Sequence, residues 1–285
     1  MADVIFDTLL DGIKLVPFLY LTYLAMEFLE HKTSAKTKNM VKNSGKAGPL
    51  IGALLGAFPQ CGFSTVASNL YAGRVITLGT LVAIFLSTSD EMIPVFLSEN
   101  VSIITLLKIV GAKVVIGLVM GFAIDFFLRK QRRVKYDMMS RISNVCSRDM
   151  CGCGKNIWLS ALRHSVTVFA YIIVISFALN TVIFMIGEDT LGSLILNKPV
   201  IGPLIAGLVG LIPNCAASVV LTQLYLGGVM SLGAMMAGLL GGAGVGLLVL
   251  FKENSSLKEN LSILALLYSC GVVWGIVIDF VAMFI

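Results

Sequence analysis

Apolar residues in this chain come in long runs rather than in alternation with polar ones. From residue 9 to residue 285 the runs have lengths that suit helices crossing a hydrocarbon layer of ~30 Å. The first half predicts a helix over 7–30, an interrupted segment over 48–71, a second interrupted segment over 75–97, and a long helix over 101–128. A polar, basic stretch follows, and then a second set of apolar runs begins near residue 157. The expected class is an all-α polytopic membrane protein. Its expected divisions are a transmembrane repeat over 1–128, a basic Cys-containing linker over 129–156, and a second repeat over 157–285.

The duplication is written in the residues. Gly48-Pro49-Leu50-Ile51 recurs as Gly202-Pro203-Leu204-Ile205, and Pro59-Gln60-Cys61 as Pro213-Asn214-Cys215. Tyr71, Gly79, Gly117, Gly121 and Asp125 recur as Tyr225, Gly233, Gly271, Gly275 and Asp279. Every pair is 154 positions apart. By direct count, 48–126 laid on 202–280 without a gap gives 30 identities in 79 positions. Apolar bias alone does not hold register over that length, so the two halves are copies of one unit.

Two kinds of interruption mark each copy. The run over 48–71 is broken in its middle at Pro59-Gln60-Cys61-Gly62, leaving limbs of roughly 15–20 Å that cannot cross alone. The expected structure is a re-entrant hairpin of half-helices, with its tip near mid-bilayer. The run over 75–97 is broken at Ser87-Thr88-Ser89-Asp90-Glu91 and then Pro94, and its counterpart at 241–246 is mostly glycine. Backbone released at such breaks survives in a membrane only where protein or a watery cavity satisfies it. Two tips and two breaks meeting about a pseudo-twofold axis would form one central site.

Composition agrees. Hydrophobic residues make up 57% and charged ones 13%, and mean hydropathy is +0.93, which excludes an ordinary soluble domain. The charge is unevenly placed. Lys32, Lys36, Lys38, Lys42 and Lys46 form one basic stretch, and Arg129, Lys130, Arg132, Arg133, Lys135, Arg141, Arg148 and Lys155 a second. Both flank apolar runs, so both are expected on the cytoplasmic side, and nucleic acid is not the expected partner. The counterpart of the first basic loop carries Glu188, Asp189 and a single Lys198, the contrast expected if the halves are inverted. Both termini then come out extracellular. The start of the chain lacks the basic region of a cleavable signal, so the first apolar run is expected to stay.

The run from Pro59-Gln60-Cys61-Gly62-Phe63-Ser64 to Leu70-Tyr71, with Ile76-Thr77-Leu78-Gly79-Thr80-Leu81-Val82-Ala83 and Ser87-Thr88-Ser89-Asp90-Glu91, resembles the ten-transmembrane heavy-metal exporter family. Its members are labelled arsenic efflux proteins or manganese transporters. The resemblance implies five apolar segments per half, with each hairpin limb counted, and export of a metal or metalloid. The family's linker is often rich in His and Cys, whereas this one has Cys146, Cys151 and Cys153 and no His. They are candidate linker metal ligands without the two-by-two spacing of a structural zinc site.

Acids inside the bilayer usually line a pathway, so Asp90 and Glu91 are candidates to bind the ion. Cys61 and Cys215 at the tips would favour soft ions, while carboxylate and carbonyl oxygens favour manganese. Gln60, Asn214, Ser64, Ser218, Ser87, Thr88 and Ser89 offer neutral oxygens for the same shell. Glu27 and His164 are candidate coupling or gating residues. So are Asp125 and Asp279, although their places near helix ends fit capping better. Lys113 lies deep enough to need a partner.

The leading expectation is a secondary transporter of a divalent transition metal such as manganese, with zinc or an arsenic species as other cargo. No permanently bound cofactor is expected, and with no phosphate-binding Gly-x-x-x-x-Gly-Lys-Ser/Thr motif the chain is not expected to carry its own ATPase. The lipid bilayer is its expected environment, the cytoplasmic membrane its location, and a homodimer a candidate assembly. The alternatives are a thiophilic metalloid permease and, from another class, an ion channel. An intramembrane enzyme is not expected, because His31 and His164 fall too near the cytoplasmic face to activate Cys61 or Ser64.

Overall fold

The computed structural model describes residues 47–57, 61–89, 92–129, 200–213 and 215–284, with isolated helical positions between 16 and 24 and between 158 and 177. Among these residues every regular element is helical. The first half gives α1 (Gly48–Gly56), α2 (Cys61–Ala72), α3 (Leu78–Ser87), α4 (Met92–Ser98) and α5 (Ile103–Arg129). The second gives α6 (Ile201–Gly210), α7 (Cys215–Leu226), α8 (Leu232–Gly241), α9 (Val245–Glu253) and α10 (Leu257–Phe284). Shifted by 154 positions, each helix of the first set falls on its counterpart to within one residue. The duplication in sequence is thus a duplication of helix boundaries.

Local chemistry sets those boundaries. Pro49 sits in the first turn of α1, where its missing N–H costs nothing. Thr77 caps α3, accepting from the Thr80 amide at 3.1 Å, and Ser231 caps α8 from the Ala234 amide at the same distance. Each cap is held in turn by an acid from the long helix behind it. Asp125 accepts from the Thr77 hydroxyl at 2.7 Å and the Gly79 amide at 3.0 Å. Asp279 accepts from the Ser231 hydroxyl and the Gly233 amide, both at 2.8 Å. A carboxylate at a helix N-terminus meets both free amides and the positive end of the dipole. Capping is therefore what these two acids do here.

Among the described residues, four stretches have the length and hydropathy to cross a membrane: Leu78–Ser98, Ile103–Leu128, Leu232–Glu253 and Leu257–Met283. The first and third, α3–α4 and α8–α9, are the broken ones and form the buried centre. The other two, α5 and α10, lie outside. Their outward faces carry Ile104, Leu107, Val119, Phe126 and Phe127 on α5, and Leu261, Val273, Val277 and Val281 on α10. Such a surface suits lipid and would be costly in water.

Small residues bring the helices together. A side chain at Gly121 would lie 2.7 Å from the Gly79 carbonyl, and one at Gly275 2.5 Å from that of Gly233. Gly117 and Gly271 approach the Ala83 and Ala237 carbonyls in the same way. Each long helix therefore rides on its broken partner backbone to backbone, a contact that only glycine permits. Between the halves the pairing is crossed: α2 packs on α9, and α7 packs on α4. Phe96 of α4 stacks on Tyr225 of α7 with ring centres 6.4 Å apart.

One turn breaks the symmetry. After α2, the Val75 amide bonds the Leu70 carbonyl at 2.8 Å, and after α7 the Val229 amide bonds that of Leu224 at 3.0 Å. Both turns need a left-handed residue. The second half uses Gly228 at φ +72°, and the first uses Arg74 at φ +59°. The strained arginine reaches the other half. Its guanidinium makes two 2.6 Å bonds to Glu259 of α10, which also accepts from the Tyr71 hydroxyl. Hydrogen bonding to Glu259 makes the Arg74 guanidinium harder to deprotonate than usual.

Two outcomes are expected. Gly121→Val should force α3 and α5 apart and lower stability by about 1–3 kcal/mol, whereas Gly111→Ala, which meets nothing within 4 Å, should be silent. Equal melting temperatures in detergent for the two variants would refute the close-packing account. Glu259→Gln should cost about 1–3 kcal/mol by leaving Arg74 half-satisfied, and the same measurement checks it against the neighbouring Lys258→Gln.

Candidate functional site

The breaks fall where the sequence placed them. α3 ends at Ser87, and Thr88 turns to extended backbone at ψ 128°. α8 ends at Gly241, and Gly244 opens α9 at φ +52°, a conformation that glycine adopts freely. Pro94 lies in the first turn of α4, after the break rather than inside a helix.

A cavity of about 20 Å³, enough for one water or one ion, lies at this junction. Three C-terminal helix ends converge on it, through Thr88 after α3, Gly210 and Ile212 at the end of α6, and Gly242 after α8. Such ends carry unbonded carbonyls and a partial negative charge. Hydroxyls come from Thr88, Ser89 and Ser218. The Thr88 hydroxyl donates to the Ile84 carbonyl at 2.7 Å and the Ser89 hydroxyl to the Ser87 carbonyl at 3.2 Å. With those protons engaged, both oxygens are left as acceptors, suited to a cation.

Lys113 also lines the cavity. It belongs to α5 and is 1% exposed. Its ammonium donates to the Thr88 carbonyl and, at 3.2 Å, to the Leu239 carbonyl in the last turn of α8. The Ala243 amide bonds Gly241 instead of Leu239, so this carbonyl is one that the break releases from the helical ladder. One lysine thereby satisfies a broken helix end in each half. Its own counterpart in the second half is Leu267, fully buried and apolar.

The helices α2 and α7 treat the centre differently. Ser218 faces the cavity, but Ser64 is fully buried beside Gly246, where an added side chain would lie 2.7 Å from the Ser64 Cβ. Ser68 ties the same pair, its hydroxyl donating to the Gly246 carbonyl at 2.6 Å and to the Ser64 carbonyl at 3.0 Å. α2 is thus packed into the break of α8–α9, while α7 leaves space at the break of α3–α4. Ser87 is turned away from the cavity, bonded to the Ala83 and Ile84 carbonyls and closely approached by Gly56.

Cys61 and Cys215 are the first residues of α2 and α7. Gln60, Asp90, Glu91 and Asn214 of the expected shell lie outside the described residues, as do Glu27, His164 and the linker thiols Cys146, Cys151 and Cys153. Among the described residues no three His, Cys, Asp or Glu side chains gather as a metal-binding group. Sequence reasoning expected a partner for Lys113 but did not foresee that backbone carbonyls from both halves would share it. The signal available was its place on α5 opposite two breaks. Ser68 was missed because its mate is Thr222, which bonds its own helix at the Ser218 carbonyl.

No curated protein and no solved structure matches the chain. A family described as "Putative, 10TM heavy-metal exporter" matches residues 1–190, which take in the first repeat, the linker and the start of the second repeat. The remainder is joined to that match by the internal repeat, and the chain belongs to this family of ten-transmembrane heavy-metal exporters.

Proposed function

We propose that the chain is a secondary transporter that exports a divalent transition-metal ion, manganese foremost, across the cytoplasmic membrane through the junction of its broken helices. The observation that carries this reading is the convergence of three helix C-termini and three hydroxyls on one ion-sized cavity. Carbonyl and hydroxyl oxygens in that number suit a hard cation. Asp90 and Glu91 directly follow Ser89 and would supply two negative charges against the single positive charge of Lys113.

An inverted arrangement of the halves is part of the proposal, and two contacts support it. Arg74, just before α3, meets Glu259 at the start of α10. Tyr225, at the end of α7, meets Phe96 in the second turn of α4. Parallel copies would put the partners of each pair on opposite faces of the membrane. With inversion, the basic loop at 32–46, Arg74, Lys252, Lys258 and the linker share one face, the cytoplasmic one by charge. α1–α2 and α6–α7 are then re-entrant hairpins from opposite faces, since helices of 9–12 residues span only about 14–18 Å. Rocking of crossed helix pairs about the cavity would give alternating access.

A second reading keeps the site and changes the cargo to neutral arsenous acid. The Lys113 ammonium in the lining disfavours a cation, and Cys215 begins the helix that supplies Ser218. Proteoliposome flux of manganese, zinc, cadmium and arsenite separates the two. Saturable manganese flux is expected, and Asp90→Asn should reduce it by about tenfold or more. Manganese flux untouched by Asp90→Asn would remove the carboxylates from the site. Arsenite flux alone would establish the second reading, and currents above carrier rates would point to a channel.

A further inference from the structure

We propose that the Lys113 ammonium is a tethered stand-in for a monovalent coupling cation, filling a site made by the C-terminal carbonyls of one broken helix from each half. The ligands are of the kind that a sodium or potassium ion would take. Thr88 gives a carbonyl from the end of α3, and Leu239 gives one released from the ladder of α8. The lysine reaches them from a third element, α5, beginning ten residues into a 27-residue helix and so far from either surface. It is 1% exposed. Apart from Lys113, the described residues that line the cavity carry no ionisable side chain.

The pseudo-symmetry sharpens the point. A purely structural donor would be expected twice, because the break occurs twice. The second half has Leu267 where the first has Lys113, so one positive charge serves both breaks at once. A diffusible cation at the junction would do the same, and would have to be bound afresh in every cycle. A cation covalently attached is never lost. It holds the ends of α3 and α8 together beside the cargo, and the wild-type transporter therefore needs no sodium or potassium.

This inference rests on the transporter reading for its flux arm but not for its binding arm. The binding arm compares melting of the purified full chain in choline, sodium, potassium and ammonium chlorides at equal ionic strength. Wild type should melt at one temperature in all four. Lys113→Ala should melt about 5 °C lower in choline, having lost the bonds to the Thr88 and Leu239 carbonyls, and should recover in at least one of the small cations. Lys113→Met, which refills the space without charge, should stay low in every salt. A Lys113→Ala protein depressed equally in all salts would overturn the proposal, as would a Lys113→Met protein as stable as wild type. Should Lys113→Ala fold only when purified in a small-cation salt, the proposal stands, and failure to fold in all of them overturns it.

The flux arm uses manganese in proteoliposomes. Wild-type flux should be unchanged when choline replaces sodium and potassium, and Lys113→Ala flux should fall about tenfold in choline and rise with the rescuing cation. Wild-type flux that requires sodium or potassium would overturn the stand-in. Absence of manganese flux in wild type would sink the manganese reading alone, with the melting series still deciding the cation site.

Discussion

A helix that stops inside a membrane leaves backbone groups that lipid cannot satisfy, and the rest of this molecule is arranged around that debt. Each unmet carbonyl or amide in an apolar medium costs on the order of 1–3 kcal/mol. Here the donors come from neighbouring helices. Lys113 serves the ends of α3 and α8, while Ser68 ties α2 to α9 through the Gly246 carbonyl. Asp125 and Asp279 serve the beginnings of α3 and α8 as acceptors. The residues at the junction border a cavity, and on the proposed function a cargo ion would be one more partner for their carbonyls. Structure and transport would then draw on the same unfilled valences.

Close packing makes this compensation reach across helices. Side chains as short as serine and aspartate can serve a neighbouring backbone only if the backbones nearly touch. The glycine contacts of α5 on α3 and of α10 on α8 provide that approach. The same contacts leave α5 and α10 free to turn their apolar faces outward. Burial and capping are therefore one design, with glycine deciding where each polar side chain arrives.

Much of this was legible in the residues. The repeat at a spacing of 154 predicted paired helix boundaries, and Pro59, Pro213 and the polar or glycine-rich runs marked the interruptions. Asp125 and Asp279 were candidates for coupling or gating as well as for capping or interface pairing, and their contacts are with the capped starts of α3 and α8. The asymmetry was harder to see. Whether α2 or α7 would face the cavity depended on Gly246 admitting Ser64, a fit in space between residues 182 positions apart. Lys113 announced a need for a partner, but the Thr88 and Leu239 groups that accept from it are carbonyls, and every residue has one of those. Arg74 opposite Gly228 signalled a difference between the turns without saying that Glu259 lay across from it.

The crossed pairing of α2 with α9 and of α7 with α4 bears on how the protein is made. The first repeat leaves the ribosome complete in sequence yet lacking the surfaces on which α2 and α4 rest. Until residues 215–226 arrive α4 has no α7, and until residues 245–253 arrive α2 has no α9. Biogenesis must therefore shelter an unfinished half for the time taken to synthesise well over a hundred further residues. Splitting the gene between the repeats should yield two pieces that mature only when co-expressed, each acting as the assembly factor of the other.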